Sequence, residues 1–233
     1  ASMCLPGDPV PSELVTNLVA DVNGQIKYRF FTSRPVVLAL FTLTNTTGSP
    51  ISVDPVVLSD YGSDTSTVVR ATSDGDTTVE NSDFWYITDE DDDDPRILTT
   101  RYGTGASVIP TNALTPDGTA PAIAVSGLRY ATTIPAGATI RILVFMELSD
   151  PDAAPAGAIS SASDFDSLSD LQTAGLLAGL GSTEINQIIN YGNVAPPSPI
   201  ATPIFAPVGL LGLIGLIGGA GFFETRRRNR KKV

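Results

Sequence analysis

Histidine is absent from the 233 residues of this chain, and Cys4 is its only cysteine. Those two gaps exclude histidine-based catalytic triads, zinc sites of the usual Cys/His type, disulfides within the chain, and haem or chlorophyll held through imidazole. No Gly-rich phosphate loop and no G-x-S-x-G nucleophile elbow occurs, and no pair of carboxylates stands in a recognisable glycosidase context. The chain therefore reads as non-enzymatic. Positive charge is scarce as well, with 14 Lys and Arg against 25 Asp and Glu for a net of -11. Six of the basic residues fall in the final ten positions beside Glu224 alone, which leaves eight basic and 24 acidic residues before them. A body so acidic repels nucleic acid, so no nucleic-acid partner is expected.

Uncharged apolar runs of membrane length are missing except in one place. Residues 204–223 carry no charge over 20 positions, the length needed to cross a hydrocarbon core of about 30 Å at about 1.5 Å per residue. Pro207 falls in the first turn, where a missing amide hydrogen costs nothing. Arg226, Arg227, Arg228, Arg230, Lys231 and Lys232 follow as a stop and orientation signal, which places the C-terminus in the cytoplasm and the preceding domain outside. Membrane lipid is the first expected partner. Gly215 and Gly219 form a GxxxG pair, and with Gly212 they give a smooth stripe that suits close packing against another helix, although short anchors also tolerate glycine without such a role. At the other end "ASMCLPGDPV" starts on small residues without an initiator Met, as a chain does after signal peptidase has acted, so export is expected. Cys4 reads as a free thiol near the chain end in preference to a lipidated cysteine.

The ending "TPIFAPVGLL", the glycine-rich run and "RRRNRKK" resemble, in that order, the C-terminal sorting signals of bacterial envelope proteins of the PEP-CTERM and IPTL-CTERM kind. Val208 stands where those motifs commonly carry Trp. The resemblance implies an envelope protein whose tail is processed by a sorting enzyme. The set "ATSDGDTTVENSDFWYITDEDDDDP", "TIPAGATIRILVFMEL" and "SDFDSLSDLQTAGLLAGLGSTEINQIINYG" is similar to a module of exported bacterial proteins that has no assigned chemistry. It spans about Ala71 to Gly192, and it implies export and a β-rich fold without naming an activity.

Between Gln25 and Ser149 the pattern has period two. "QIKYRFFTS", "PVVLALFTLTN", "STVVRATS", "DFWYIT", "RILTTRYG", "GLRYATTIP" and "TIRILVFMEL" read as strands separated by turn signals such as "NTTGSP", "SDGD" and "PAGA". The fold class expected is mainly β, an antiparallel β-sandwich of immunoglobulin-like or jelly-roll type. "PVVLALFTLTN" and "TIRILVFMEL" are apolar on both faces over much of their length, which places them centrally, and Trp85 reads as core. "SLSDLQTAGLLAGLG" and "STEINQIINYG" read as two short helices covering one end of the sandwich. Ser167 and Asp170 would open the first, Ser182 or Thr183 would cap the second, and Gly181 and Gly192 would stop them. "NVAPPSPIATP" reads as a stiff, extended spacer. The expected organisation is an N-terminal segment over 1–24, the sandwich over 25–150, a helical cap over 151–192, the spacer over 193–203, a transmembrane helix over 204–223 and a basic tail over 224–233.

One cluster has the chemistry of a cation site. In "TDEDDDDP" Asp89, Asp91, Asp92, Asp93 and Asp94 offer hard oxygen ligands of the kind calcium takes, with Asp74, Asp76 and Asp83 as helpers from neighbouring turns. Its spacing is not that of an EF-hand, and a solvated loop held open by its own repulsion has the same composition. "NTT" at Asn45 matches a glycosylation acceptor by its three residues alone. Two function classes follow. The first is a structural or interaction protein anchored at the cytoplasmic membrane, its domain periplasmic or extracellular and its partners other membrane or envelope proteins. It is either a scaffolding subunit of a larger complex, such as a respiratory or photosynthetic one, or a tail-sorted surface protein. The second is a calcium-dependent module that binds carbohydrate or protein. Apart from calcium, no cofactor is expected.

Overall fold

A computed structural model describes residues 21–60, 67–89, 96–114, 125–149 and 161–192, together with the backbone of 13–19. The fold is mainly β, built from antiparallel sheets with few helices, in a sandwich-like arrangement. Its larger sheet holds seven strands in the order β1 (Glu13–Val19), β2 (Val22–Phe30), β3 (Val36–Asn45), β12 (Thr139–Ser149), β8 (Arg96–Thr100), β7 (Trp85–Asp89) and β6 (Val68–Thr72). The two strands that are apolar on both faces, β3 and β12, are third and fourth in that order. They pair over nine positions from Thr139↔Thr44 to Glu147↔Val36.

That double apolarity has two destinations. Leu38, Leu40, Leu143, Phe145, Trp85, Ile87 and Leu98 face the C-terminal segment 161–192, which contributes Phe165, Leu168, Leu171, Leu176, Leu177, Ile188 and Tyr191 to the same cluster. On the opposite face Leu43, Ile140, Ile142 and Val144 meet a second layer of short strands. Each fully buried Leu, Ile or Phe contributes roughly 1.5–3 kcal/mol relative to exposure, so the central strands supply much of the stability.

The second layer consists of β5 (Val56–Asp60), β10 (Val125–Arg129) and β9 (Thr111–Leu114), and of β4 (Ile51–Val53) paired with β11 (Thr132–Ile134). One register runs through both pairings, from Ile51↔Ile134 to Val53↔Thr132 and from Val56↔Arg129 to Asp60↔Val125. Segments 51–60 and 125–134 are thus a single antiparallel ribbon interrupted opposite Pro55, which has no N–H to give. The Tyr130 N–H to Pro55 carbonyl bond of 2.9 Å carries the ladder across the break. The stretch "GLRYATTIP", expected as one strand, is therefore two, and β1, β4, β5 and β9 are strands the period-two reading did not single out.

The C-terminal segment departs further from expectation. Helix α1 (Leu168–Thr173) does start at Ser167, whose hydroxyl accepts the Asp170 N–H at 3.1 Å. It stops after two turns because Gly175 takes φ +74° and the Leu176 N–H bonds the Leu171 carbonyl at 2.8 Å, a Schellman ending in place of a stop at Gly181. Gly181 is instead the N-cap of helix α2 (Ser182–Asn186), where its N–H donates to Glu184 Oε2 at 2.8 Å. Burial opposes the charge on Glu184, but this bond and the Lys27 ammonium at 3.3 Å outweigh it and hold the carboxyl below its usual range. After a turn at Gln187 the chain lies beside β12, joined to it by a parallel bridge between Ile188 and Arg141, so the cap lies over a face of the large sheet and not over one end of it. Gly192 is needed there for space: a Cβ on it would lie 2.7 Å from the Thr104 carbonyl oxygen and 2.8 Å from Gly105 Cα.

This segment fills a gap in the sheet. Beyond Thr100 the chain turns away from β12, since the Arg101 and Tyr102 N–H groups both go to Phe84 O. The β12 backbone groups that point toward β8 need other partners. Arg141 exchanges bonds with Gln187 O and the Ile189 N–H, at 2.8 and 2.9 Å. Leu143 donates to Asn190 Oδ1 at 2.9 Å and accepts from Asn190 Nδ2 at 2.7 Å. Phe145 donates to Thr100 Oγ1 at 2.8 Å. At the far end Arg34 clasps the segment: its guanidinium donates to Glu147 at 2.5 and 2.6 Å and to Asp164 at 2.6 Å, over the ring of Phe165. The bond to Glu147, more than the opposing effect of burial, lifts Arg34 above the ordinary arginine value.

All these elements lie in one compact unit, residues 1–194. No helix among the described residues is long and apolar enough to cross a membrane. The expected span 204–223, with Gly212, Gly215 and Gly219, and the basic residues from Arg226 to Lys232 lie outside the described residues.

Candidate functional site

Of the acidic residues expected around a cation, the four that are described, Asp74, Asp76, Asp83 and Asp89, go to separate tasks. Asp89 ends β7, between β6 and β8, so an arginine from each flanking strand reaches it. Arg96 Nε donates to one carboxylate oxygen at 3.0 Å and Arg70 Nε to the other, with the Asp89 side chain only 7% exposed. Both oxygens are thus engaged by guanidinium groups. Asp91, Asp92, Asp93 and Asp94 lie outside the described residues. Asp74 and Asp76 shape the turn after β6: their Oδ1 atoms lie 2.8 and 3.0 Å from the Thr72 hydroxyl, and Gly75 between them takes φ +95°. Asp83 is fully buried, accepting the Glu80 N–H at 2.7 Å and the Ser73 hydroxyl at 3.3 Å. Among the described residues no three acidic side chains converge on a common point.

Under the same loop sits an arginine that sequence reasoning did not single out. Arg101 is wholly buried, its Nη1 donating to the carbonyls of Glu80 and Asp83 and its Nη2 to Asn112 Oδ1 at 2.8 Å. Burial pushes its guanidinium below the ordinary arginine value, against the pull of Tyr86 and the charge of Asp83. Asn112 donates in turn to Val79 O at 2.9 Å and the Tyr102 hydroxyl to Ser82 O at 2.7 Å. Four consecutive-region carbonyls of an irregular loop are thereby held by side chains from below. Nearby, the Trp85 indole donates to Asp166 Oδ1 at 3.0 Å, while burial holds the Asp166 carboxyl above the usual range. These polar groups bond to one another and to the loop backbone.

Concave space of ligand size occurs elsewhere. Where the start of β2 and the end of β3 approach the β4 ribbon, a cleft of about 420 Å³ opens, lined by Val22, Leu43, Ile51, Val53 and Pro55 with Asp21, Ser52 and Asp54 at its polar positions. Its volume falls in the range of small-molecule and side-chain sites. The floor belongs to the cluster of Val22, Leu43, Ile134 and Ile140, so it is fixed by the core. Asp54 is half exposed and lies 3.5 Å from the equally exposed Arg129. Neither β4 nor the turn before β2 was singled out from sequence, because three residues of "ISV" before a Pro give too short a period to read.

No protein-family model matches this sequence and no curated protein matches it. Among solved structures, a protein described as a kojibiose phosphorylase from the human microbiome overlaps 70% of this chain and 20% of its own, at 12% identity and a TM-score of 0.37. The chain thus spans about a fifth of that protein's length.

Proposed function

We propose that this chain is a non-enzymatic structural or interaction protein of the bacterial envelope, with an extracytoplasmic sandwich of immunoglobulin-like or jelly-roll type held at the cytoplasmic membrane by one helix. The observation that carries the reading is the uncharged run of 204–223 followed by six basic residues, which has the length of a bilayer span and the charge of its cytoplasmic border. Arg101, Asp83, Asp89 and Asn190 are committed to bonds within the fold, which gives these four polar residues structural roles. Two fates of the tail remain within this reading: retention as a packing helix in a larger complex, or removal by a sorting enzyme.

Native mass spectrometry of protein extracted in mild detergent from alkali-washed membranes tests it. The full mass within a larger particle is the result expected for a scaffolding subunit, and a mass ending near Pro203 the result for a sorted surface protein. Recovery of the full-length chain entirely in the alkali wash would overturn the anchor.

Calcium at millimolar concentration tests the second reading, in which Asp89 is held by Arg70 and Arg96 and the ligands would come from Asp91, Asp92, Asp93 and Asp94. A rise of several degrees in the thermal midpoint, abolished by changing those four residues to Asn, is the result expected of a calcium-dependent binding module, and an unchanged midpoint would dismiss it.

A further inference from the structure

We propose that the open edge of the β4–β5 ribbon and the adjoining cleft bind an extended, basic segment of a partner protein by strand addition, seating one bulky apolar side chain of that segment in the cleft. This deepens the interaction reading above and rests on it, but not on the membrane anchor.

The edge comes first. In the sheet order β4 neighbours only β11 and β5 only β10, so among the described strands residues 51–60 have a partner on one side. The Tyr130 N–H to Pro55 O bond makes 55 a position whose backbone groups point into the ribbon. Alternation along an antiparallel ladder then turns the N–H and C=O of Ser52, Asp54 and Val56 outward. Pro55 lacks only an inward N–H and so does not blunt this edge. Val56 and Leu58, 41% and 63% exposed, add apolar side chains to it. A long edge of this kind templates pairing unless something covers it.

The cleft and its charge narrow down what that something is. It opens beside Ile51 and Val53 on the same ribbon, so a strand laid along the edge would carry alternate side chains over it. Its walls are apolar, and its two charged positions, Asp21 and Asp54, are both acidic and exposed. The chain ahead of the tail holds 24 acidic against eight basic residues, so the long-range field attracts a basic partner. The same field and the facing Asp54 side chains disfavour edge-to-edge pairing of two copies. Recognition by main-chain bonds along an edge, with side-chain pockets for specificity, is an established mode of peptide binding.

Fluorescence anisotropy of a labelled peptide, Ac-KVLVKV-NH2, against the full chain in zwitterionic nanodiscs tests the proposal. Saturable binding is expected. Combining Asp21→Asn with Asp54→Asn should weaken it about tenfold, as loss of two rim charges does. The acidic analogue Ac-EVLVEV-NH2 should not bind. Ser52→Pro removes an outward N–H at an edge, where proline is tolerated, and should abolish binding. The Asp variants are at exposed positions and keep the test valid if Ser52→Pro misfolds. No binding by the unmodified chain, or equal binding by all variants, would overturn the proposal and leave the anchor intact. Binding of hexyltrimethylammonium with the same dissociation constant, unaffected by Ser52→Pro, would overturn it in favour of a small-cation site. Peptide binding by a chain that fails to enter nanodiscs would overturn the anchor and leave the strand site standing.

Discussion

Replacing Asn190 by Ala is expected to cost about 2–6 kcal/mol, the sum of leaving two buried main-chain groups without partners. Asn190 is fully buried, and its side-chain amide lies against Leu143 as a strand residue would, accepting from the N–H at 2.9 Å and donating to the carbonyl at 2.7 Å. No water reaches this place, because Leu143 itself is fully buried in the central strand. The third bond, to Arg101 O at 3.1 Å, is the dispensable one, since that carbonyl also accepts the Tyr130 hydroxyl at 2.8 Å. On a domain of this size each kcal/mol moves the thermal midpoint by about 2–4 °C, so a fall of roughly 4–24 °C is expected by circular dichroism. Asn186→Ala, an exposed change four residues earlier on α2, should stay within about 0.5 kcal/mol and serves as the reference. Equal midpoints for the two variants would mean that the gap between β12 and β8 closes without Asn190.

The same residue shows where legibility in the sequence ends. Ile185, Ile188 and Ile189 in "STEINQIINYG" have the spacing of one helix face, and the Glu184 carboxylate reaches back to the Gly181 N–H as the half of a capping box that needs no N-cap side chain, so a helix does begin there. What ends it at Asn186 is a tertiary demand: β12 offers unpaired backbone groups, and the chain after Gln187 satisfies them. No local pattern encodes that demand. By contrast β3 and β12 were legible as central strands because both faces are buried, and burial on both faces removes the polar alternation that marks an outer strand. The short edge strands β4, β5 and β9 were not, since runs of three to five residues carry too little periodicity, and β4 and β5 are further parted by Asp54 and Pro55. For the acidic residues that are described, the bonds each makes follow from its place in the fold and not from composition. Asp89 became the partner of two arginines because β7 lies between β6 and β8, a fact of strand order that spacing does not contain. The cleft likewise joins Val22 at the start of β2 and Leu43 near the end of β3 to Ile51 and Val53 of β4, a meeting that follows from how the layers pack and not from any local pattern.

Arg101→Met should release the loop between β6 and β7 while keeping most of the side-chain volume. The guanidinium donates to the Glu80 and Asp83 carbonyls and to Asn112, and its charge sits near the buried carboxylate of Asp83. Methionine would leave those acceptors bare and Asp83 without a neighbouring cation, and removing one side of a buried charged arrangement typically costs about 3–5 kcal/mol. The loss should be local in its first effect: hydrogen exchange at the Glu80 and Asp83 amides should accelerate, because their bonds, Glu80 N–H to Asp83 Oδ2 and Asp83 N–H to Glu80 O, lie within the loop that the arginine holds, and the ties from Asn112 to Val79 O and from Tyr102 to Ser82 O reach other carbonyls. Arg101→Lys keeps the charge but supplies a single point of donation in place of a fork, so an intermediate loss is expected. Asp83→Asn in the Arg101→Met background distinguishes charge from bonding. Recovery of about half the lost stability would assign the cost to the uncompensated carboxylate, whereas no recovery would assign it to the orphaned carbonyls. Unchanged exchange in Arg101→Met would show that the loop is held from above and not by the arginine beneath it.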